Sequence, residues 1–278
     1  SAEQSAAVWS QICTDTRLLR PGDIFLALVG ERFDGHRFVD QAFAAGAIAA
    51  VVCQGALESR PGLIEVADTL GAYQTVGRWW RQRLGLPVVA ITGSVGKTTT
   101  KELIAAALAI HGPVHRTRAN FNNEIGVPKT LLEMEASHRY GVVEMGMRGP
   151  GEIALLTQIA RPDIAVITNV GTAHIGRLGS RQAIANAKCE LLAELPQGGT
   201  AVLNYDDKRL MDTAAGVWSG RTVTYGFTGG DIRGVLLESD TLKVEDIRLP
   251  LPLEGEHNAL NYLSAIATLQ ALGLDWHS

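Results

Sequence analysis

Cysteine is scarce in this 278-residue chain, and the three present, Cys13, Cys53 and Cys189, are odd in number and fall without C-x-x-C spacing. Neither a disulfide framework nor a thiolate zinc site is expected, and a reducing cytoplasm fits best. An excess of either charge is lacking too: 25 Lys+Arg against 29 Asp+Glu give a net charge of −4 and a pI near 6.0. With no basic footprint, neither nucleic acid nor an anionic membrane is expected as partner, so any nucleotide recognised should be a small molecule. Long apolar runs are missing as well. The longest, Ala42 to Cys53, is broken by Gly46 and falls short of the ~20 residues a bilayer span needs. The first residues lack the basic-then-apolar order of a secretory leader, so export is not expected. Internal repeats and low-complexity segments are absent.

With 46% hydrophobic and 19% charged residues the chain can bury a sizeable core, and its length points to two domains. Residues 1–84 read as a small α/β unit. Strands are expected over Ile24–Leu28, Ile48–Val52 and Leu63–Val66, one helix carries Phe38, Ala42 and Ala45, and a second runs from Leu70 to Leu84. Gly85-Leu86-Pro87 punctuates the chain and marks the expected boundary. Over residues 85–278 strands alternate with helices, which predicts a mainly parallel sheet flanked by helices, a central P-loop NTPase-like domain. Arg221 to Leu253 is β-rich, and a last helix is expected from His257 to Leu272. Ligands of such sheets collect at the carboxyl ends of the strands.

The most informative stretch is Val88-Val89-Ala90-Ile91-Thr92-Gly93-Ser94-Val95-Gly96-Lys97-Thr98-Thr99-Thr100. An apolar strand empties into a glycine loop, a lysine, hydroxyls and a helix, which is the layout of a triphosphate cradle. Backbone N–H groups of Gly93, Ser94, Val95 and Gly96 can approach phosphate oxygens, and the helix beginning with Lys97, Thr98 and Thr99 turns its positive end toward them. Lys97 can reach the β- and γ-phosphates and Thr98 can hold Mg²⁺. The form is T-G-x-x-G-K-T-T, since the first glycine of the general Walker A pattern would fall on Ile91.

Other residues gain meaning from that loop. Glu144 ends the strand Val142-Val143-Glu144, where a carboxylate can reach a metal beside the phosphates or equally cap the next helix. The strand from Ile164 delivers Gly171-Thr172-Ala173-His174, and His174 reads as a metal ligand, a phosphate contact or a loop residue. Both strands are expected to neighbour the P-loop strand. Lys188 stands in a predicted helix among Ala185, Ala187 and Leu191. An ammonium pressed against apolar surface loses its proton readily and can react with CO₂ to a carbamate, although a lysine snorkelling to water has the same spacing. Asn120, Asn122 and Asn123 crowd a loop before a helix, where turn geometry and contact with phosphate or substrate compete as reasons. Asn258 and Asn261 lie three apart on one helix face, suited to an adenine edge or to a cap.

Taken together, T-G-S-V-G-K-T-T-T, N-F-N-N-E-I-G-V-P, V-V-E-M-G, T-N-V-G-T-A-H, A-K-C-E-L-L and G-E-H-N-A-L-N resemble the Mur ligases, in order over residues 88–272. N-N-E-I-G-V-P and the A-H look like the members that add D-alanyl-D-alanine to UDP-N-acetylmuramoyl-tripeptide in peptidoglycan precursor synthesis. Thr14-Asp15-Thr16-Arg17, Pro21 to Phe25 and Glu31 to His36 are similar to their uridine-nucleotide-binding domain. The resemblance implies an ATP-dependent ligase using an acyl phosphate. Lys97 and Thr98 would hold ATP and Mg²⁺, Glu144 and His174 would serve two metal sites, and Lys188 would be a carbamylated lysine. Asn258 and Asn261 would meet adenine, and Thr14, Asp15, Thr16 and Arg17 the uridine nucleotide.

The alternatives are another Mur-type or folylpolyglutamate-type ligase, or a non-catalytic nucleotide-binding module. Small-molecule partners and a monomer are expected. The family continues past Ala271-Leu272-Gly273-Leu274 into a closing domain of roughly 100–150 residues. The expectation is therefore a fragment that binds nucleotide and ligates little by itself.

Overall fold

The computed structural model describes residues 10–30, 33–173, 175–238 and 240–277. They divide between Val76 and Gly77 into two compact units.

In the first unit, β1 (Ile12–Cys13), β2 (Ile24–Leu26), β3 (Val29–Gly30), β4 (Phe33–Asp34), α1 (Val39–Ala44), β5 (Ala49–Cys53) and β6 (Leu63–Val66) follow in order. Four strands make a parallel sheet, β1-β2-β5-β6, and β3 and β4 pair as an antiparallel hairpin. Phe25 and Ala27 meet Val39 and Ala42 of α1 in a small apolar core. His36 braces the end of β5: its Nε2 accepts the Cys53 N–H (2.9 Å) while Nδ1 lies 2.6 Å from the Asp34 carboxylate.

Helix α2 (Thr69–Leu84) carries the chain across the division, which therefore falls inside a helix and not at Gly85-Leu86-Pro87. The reason lies in its last turns. Trp80 Nε1–H donates to the Met134 carbonyl (2.8 Å), and Arg81 donates to the Ala160 carbonyl (3.0 Å) and the Asp163 carboxylate (2.7 Å), all in the second unit.

The second unit continues with β7 (Val88–Thr92), α3 (Lys97–Ala109), β8 (Val114–Arg116), α4 (Gly126–Leu132), β9 (Tyr140–Glu144), α5 (Glu152–Ala160) and β10 (Ile164–Ile167). After these come α6 (Ile175–Leu178), α7 (Arg181–Ala193), β11 (Thr200–Asn204), α8 (Lys208–Ala215), β12 (Arg221–Gly226), β13 (Ile232–Glu238), β14 (Thr241–Val244), β15 (Ile247–Pro250) and α9 (Glu256–Ala271). One nine-stranded sheet runs β15-β14-β13-β12-β11-β10-β7-β9-β8. It is parallel from β8 to β13, and β13, β14 and β15 pair antiparallel.

The central strands are buried along their whole length because both faces are covered. Side chains alternate across β7: Val88 and Ala90 join the core under α4, α5, α7 and α8, while Val89 and Ile91 join the core under α3 and α9. The mainly parallel α/β architecture expected from the sequence is thus present. The chain leaves β7 for β8 and β9 on one side and returns to β10 on the other. A topological switch point opens at the carboxyl end of β7, between β9 and β10.

Candidate active site

Glycine is needed twice in the loop after β7. A Cβ on Gly93 would lie 1.9 Å from Thr168 Oγ1, and Gly96 holds φ at +82° with its Cβ position 2.6 Å from Asn261 Oδ1. The turn is clamped from β10: Ser94 N–H donates to the Asn169 carbonyl (3.1 Å) and Val95 N–H to Asn169 Oδ1 (3.1 Å). Thr168 Oγ1 (2.8 Å) and Asn169 Nδ2 (3.0 Å) donate to the Val95 carbonyl, and Gly171 N–H donates to Ser94 Oγ (2.8 Å). So fixed, the loop presents the first turn of α3, Lys97 to Thr99, whose amides have no partner within the helix and make an anion-attracting end. Lys97 Nζ donates back to the Gly93 carbonyl (2.9 Å), and burial lowers its pKa from the ordinary lysine value, with Glu144 opposing.

Glu144 is 2% exposed at the end of β9. It accepts from Thr98 Oγ1 (3.0 Å) and Asn122 Nδ2 (2.8 Å), lies 3.8 Å from Lys101 Nζ, and its own backbone N–H donates to Thr117 Oγ1 (3.0 Å). This carboxylate is aimed at the P-loop hydroxyl rather than capping α5. Glu190 of α7 serves α5 instead, accepting from Gly151 N–H (2.7 Å) and Ala154 N–H (3.1 Å).

Lys188 is 1% exposed on the core face of α7, beside Ala185, Ala187 and Leu191, so the snorkelling reading does not hold. Burial pushes its pKa down to about 7, and the Lys97 charge pushes the same way. Lys97 and Lys188 line one cleft of about 340 Å³ with Asn120, Asn122 and Asn123. Asn123 also caps α4, its Oδ1 accepting from Gly126 N–H (2.9 Å). His174 lies outside the described residues. The strand that leads to it, β10, adjoins β7 on the side opposite β9, as expected.

The amide pair near the C-terminus is parted. Asn261 is buried and accepts from Thr100 Oγ1 (3.2 Å), whereas Asn258 is half-buried and donates to the Glu254 carbonyl (2.8 Å). In the first unit, Thr14 to Arg17 form the turn after β1, where Arg17 pairs with Asp15 at 2.6 Å. Glu31 and Arg32 lie outside the described residues.

Three participants escaped the sequence reading. Lys101 follows Lys97 by one helical turn, a spacing that points it to the same face. The Asn169 clamp and the Arg148/Glu152 rim of the cleft carried no local signal. Among the described residues no group of three His, Cys, Asp or Glu side chains is placed to hold a metal. One carboxylate and one hydroxyl in mutual contact suit Mg²⁺, a hard cation that keeps several waters and takes phosphate oxygens.

An acid from the next strand and an amine from a flanking helix thus stand beside a strand, glycine loop and helix. The Synechocystis UDP-N-acetylmuramoyl-tripeptide–D-alanyl-D-alanine ligase is 58% identical over 96% of this chain and 59% of its own length. The solved UDP-N-acetylmuramoylalanyl-D-glutamyl-2,6-diaminopimelate–D-alanyl-D-alanyl ligase of Acinetobacter baumannii is 36% identical, with TM-score 0.88 over 96% of this chain and 61% of that one. The MurF ligase of Thermotoga maritima, solved in complex with ADP, is 30% identical, with TM-score 0.85 over 95% and 64%. The chain thus spans about three fifths of the length of the relatives it matches. The Mur ligase catalytic-domain model matches residues 9–119 and the Mur ligase middle-domain model residues 91–269. With the second of these covering most of the chain, P-loop and Lys188 included, the chain belongs to the Mur ligase family.

Proposed function

We propose that this chain supplies the substrate-nucleotide and ATP-binding parts of a ligase that joins D-alanyl-D-alanine to UDP-N-acetylmuramoyl-tripeptide. Lys188 carries the reading: a buried amine with a pKa near 7 beside a triphosphate loop is costly to keep unless its neutral form is used. The neutral amine adds to CO₂ with loss of a proton to water, leaving a carbamate anion that serves as an oxygen ligand. Glu144 and Thr98 would hold one Mg²⁺, and the carbamate with His174 a second. The ions supply charge neutralisation at the transferring phosphoryl group.

In the reaction, an oxygen of the tripeptide's terminal carboxylate attacks the γ-phosphorus and the bond to the β-phosphate oxygen breaks, releasing ADP. The dipeptide amine then attacks the acyl phosphate carbon, and inorganic phosphate leaves as the amine gives up a proton. Lys97, held at the loop mouth, follows the negative charge as it develops, and the α3 amides bind the phosphates without covalent chemistry of their own. Thr14 to Arg17 are assigned to the uridine nucleotide, and Asn258 and Asn261 to the adenine side. The first unit is assigned the uridine-nucleotide task and the second, from Gly77, the ATP task. Small-molecule partners and a cytoplasmic monomer complete the assignment.

Calorimetry tests the reading, with ATP and Mg²⁺, UDP-N-acetylmuramoyl-tripeptide, UDP-N-acetylmuramoyl-alanine and UDP titrated in turn. Selective tripeptide binding is expected, together with ATP binding that Lys97→Ala weakens at least about tenfold, the scale of one charge-assisted phosphate contact. Equal ATP affinity in the variant, or no preference for tripeptide, overturns it.

A further inference from the structure

Strand β8 borders the nine-stranded sheet, and just after it the Thr117 N–H bonds the Val142 carbonyl of β9 (2.9 Å). Alternation along the strand turns the Arg116 N–H the other way, to the open edge. A polar cavity of about 440 Å³ lies there, lined by residues 114–119, by Glu102 of α3 and by His138. It shares no lining residue with the cleft of Lys97 and Lys188.

Donors face this space without acceptors to answer them. Among the described residues the Arg118 guanidinium has no partner. Arg116 donates through Nε to Glu102 (2.6 Å), a carboxylate that also lies 3.2 Å from Lys101 Nζ and is thus divided between two cations. His138 Nδ1 accepts the Glu135 N–H (2.9 Å), so the neutral ring carries its proton on Nε2, which has no partner among the described residues. His115 stands edge to face with His138, ring centres 5.2 Å apart. It is 6% exposed, its Nε2 makes no hydrogen bond, and the Glu133 carboxylate is 3.8 Å away, outside hydrogen-bond reach. Burial first, then the charges of His138, Arg118 and Arg116, hold the His115 pKa down to about 4, so this ring meets a positive potential from the cavity wall.

Guanidinium, imidazole N–H and outward backbone N–H together suit an oxyanion. Arginine offers paired N–H groups that match the oxygens of phosphate, and charge assistance makes such bonds short and strong. The volume leaves room for a small organic group beside the anion.

We propose that the cavity at the β8 border binds a phosphate-type oxyanion, free or as a small monoester, with Arg118, Arg116 and the His138 Nε2–H as its ligands. The site does not rest on the ligase reading of the cleft.

Histidine ring resonances test it, the His138 signal being identified by its loss in His138→Gln. Inorganic phosphate, glycerol phosphate and, at matched ionic strength, chloride are titrated into the chain at constant pH. His138 lines this cavity and not the cleft, so its signal separates the site from the P-loop. A saturable shift is expected with phosphate and with the ester, and none with chloride. Arg118→Gln is expected to weaken that response at least about tenfold, the loss of one charge-assisted contact, with Tm unchanged because Arg118 is exposed. Tighter binding of the ester assigns the site to a phosphorylated small molecule, and equal binding assigns it to the free ion. No saturable shift with either anion, a shift that chloride reproduces, or one that survives in Arg118→Gln overturns the site.

Discussion

Lys188 is the residue at which the chemistry of this chain is most exposed to test. Stripped of water by α7 and the sheet, and facing a second cation at Lys97, its amine holds a proton only below about pH 7, whereas an unfolded lysine holds one to about 10.5. The native state therefore binds fewer protons than the unfolded state between those values, and the lysine's penalty on stability, full below pH 7, fades as pH rises through that window. The same titration governs carbamate formation. With ¹³C-bicarbonate we expect a carbamate carbon signal that Lys188→Ala lacks and that declines as pH falls below about 7; a signal unchanged in the variant would assign it elsewhere. The placing of Lys97 and Thr98 on the loop was legible from the sequence because strand–glycine–lysine–hydroxyl order is local, whereas Glu144, far along the chain, was left between two readings at a strand tip. Burial was not: the spacing around Lys188 fits a core or a surface lysine equally, and only the packing of α7 against the sheet decides. Asn258 and Asn261 show the same limit, since three-residue spacing set them on one face but the close approach of α9 to the P-loop buried one of them.

At the scale of elements, α3 depends on the loop before it. Gly96 sits at positive φ against Asn261, so Gly96→Ala combines left-handed strain of about 1–2 kcal/mol with an overlap at the helix start. The expected outcome is a Tm lower by roughly 2–8 °C by scanning calorimetry, with ATP affinity reduced as well. Strand β6 matches its expected limits, Leu63 to Val66, because Pro61-Gly62 before it and Asp68 after it bound the run. Among the elements that went unread, β8 and α8 did so for physical reasons. Strand β8 is three residues, Val114-His115-Arg116, too short to show alternation. Helix α8 is short and rich in charge, and its start is set by Asp207, which caps it through Leu210 N–H (3.0 Å) while also accepting Val170 N–H (2.6 Å) from the end of β10.

For the molecule as a whole, the place where one unit ends is decided by Arg81 and not by the glycine–proline punctuation that follows it. Its guanidinium is buried on the Ala160 carbonyl and the Asp163 carboxylate, and Asp163 also accepts the Val88 N–H (2.8 Å) at the start of the P-loop strand. Arg81→Ala should cost about 1–3 kcal/mol, roughly 3–10 °C in Tm for a unit of this size, seen as a shifted melting transition. An unshifted transition would mean that the last turns of α2 contribute nothing to the second unit. The long sheet of that unit carries a further consequence at its flanks. A nine-stranded sheet ends in two rows of backbone donors and acceptors, each a template on which another chain can add a strand. At one flank β8 is brief and carries Arg116, locked to Glu102 at 2.6 Å, and at the other β15 closes on Pro250, which has no N–H to offer. Shortness, charge and proline at these two borders guard the protein against growing sideways into fibrils.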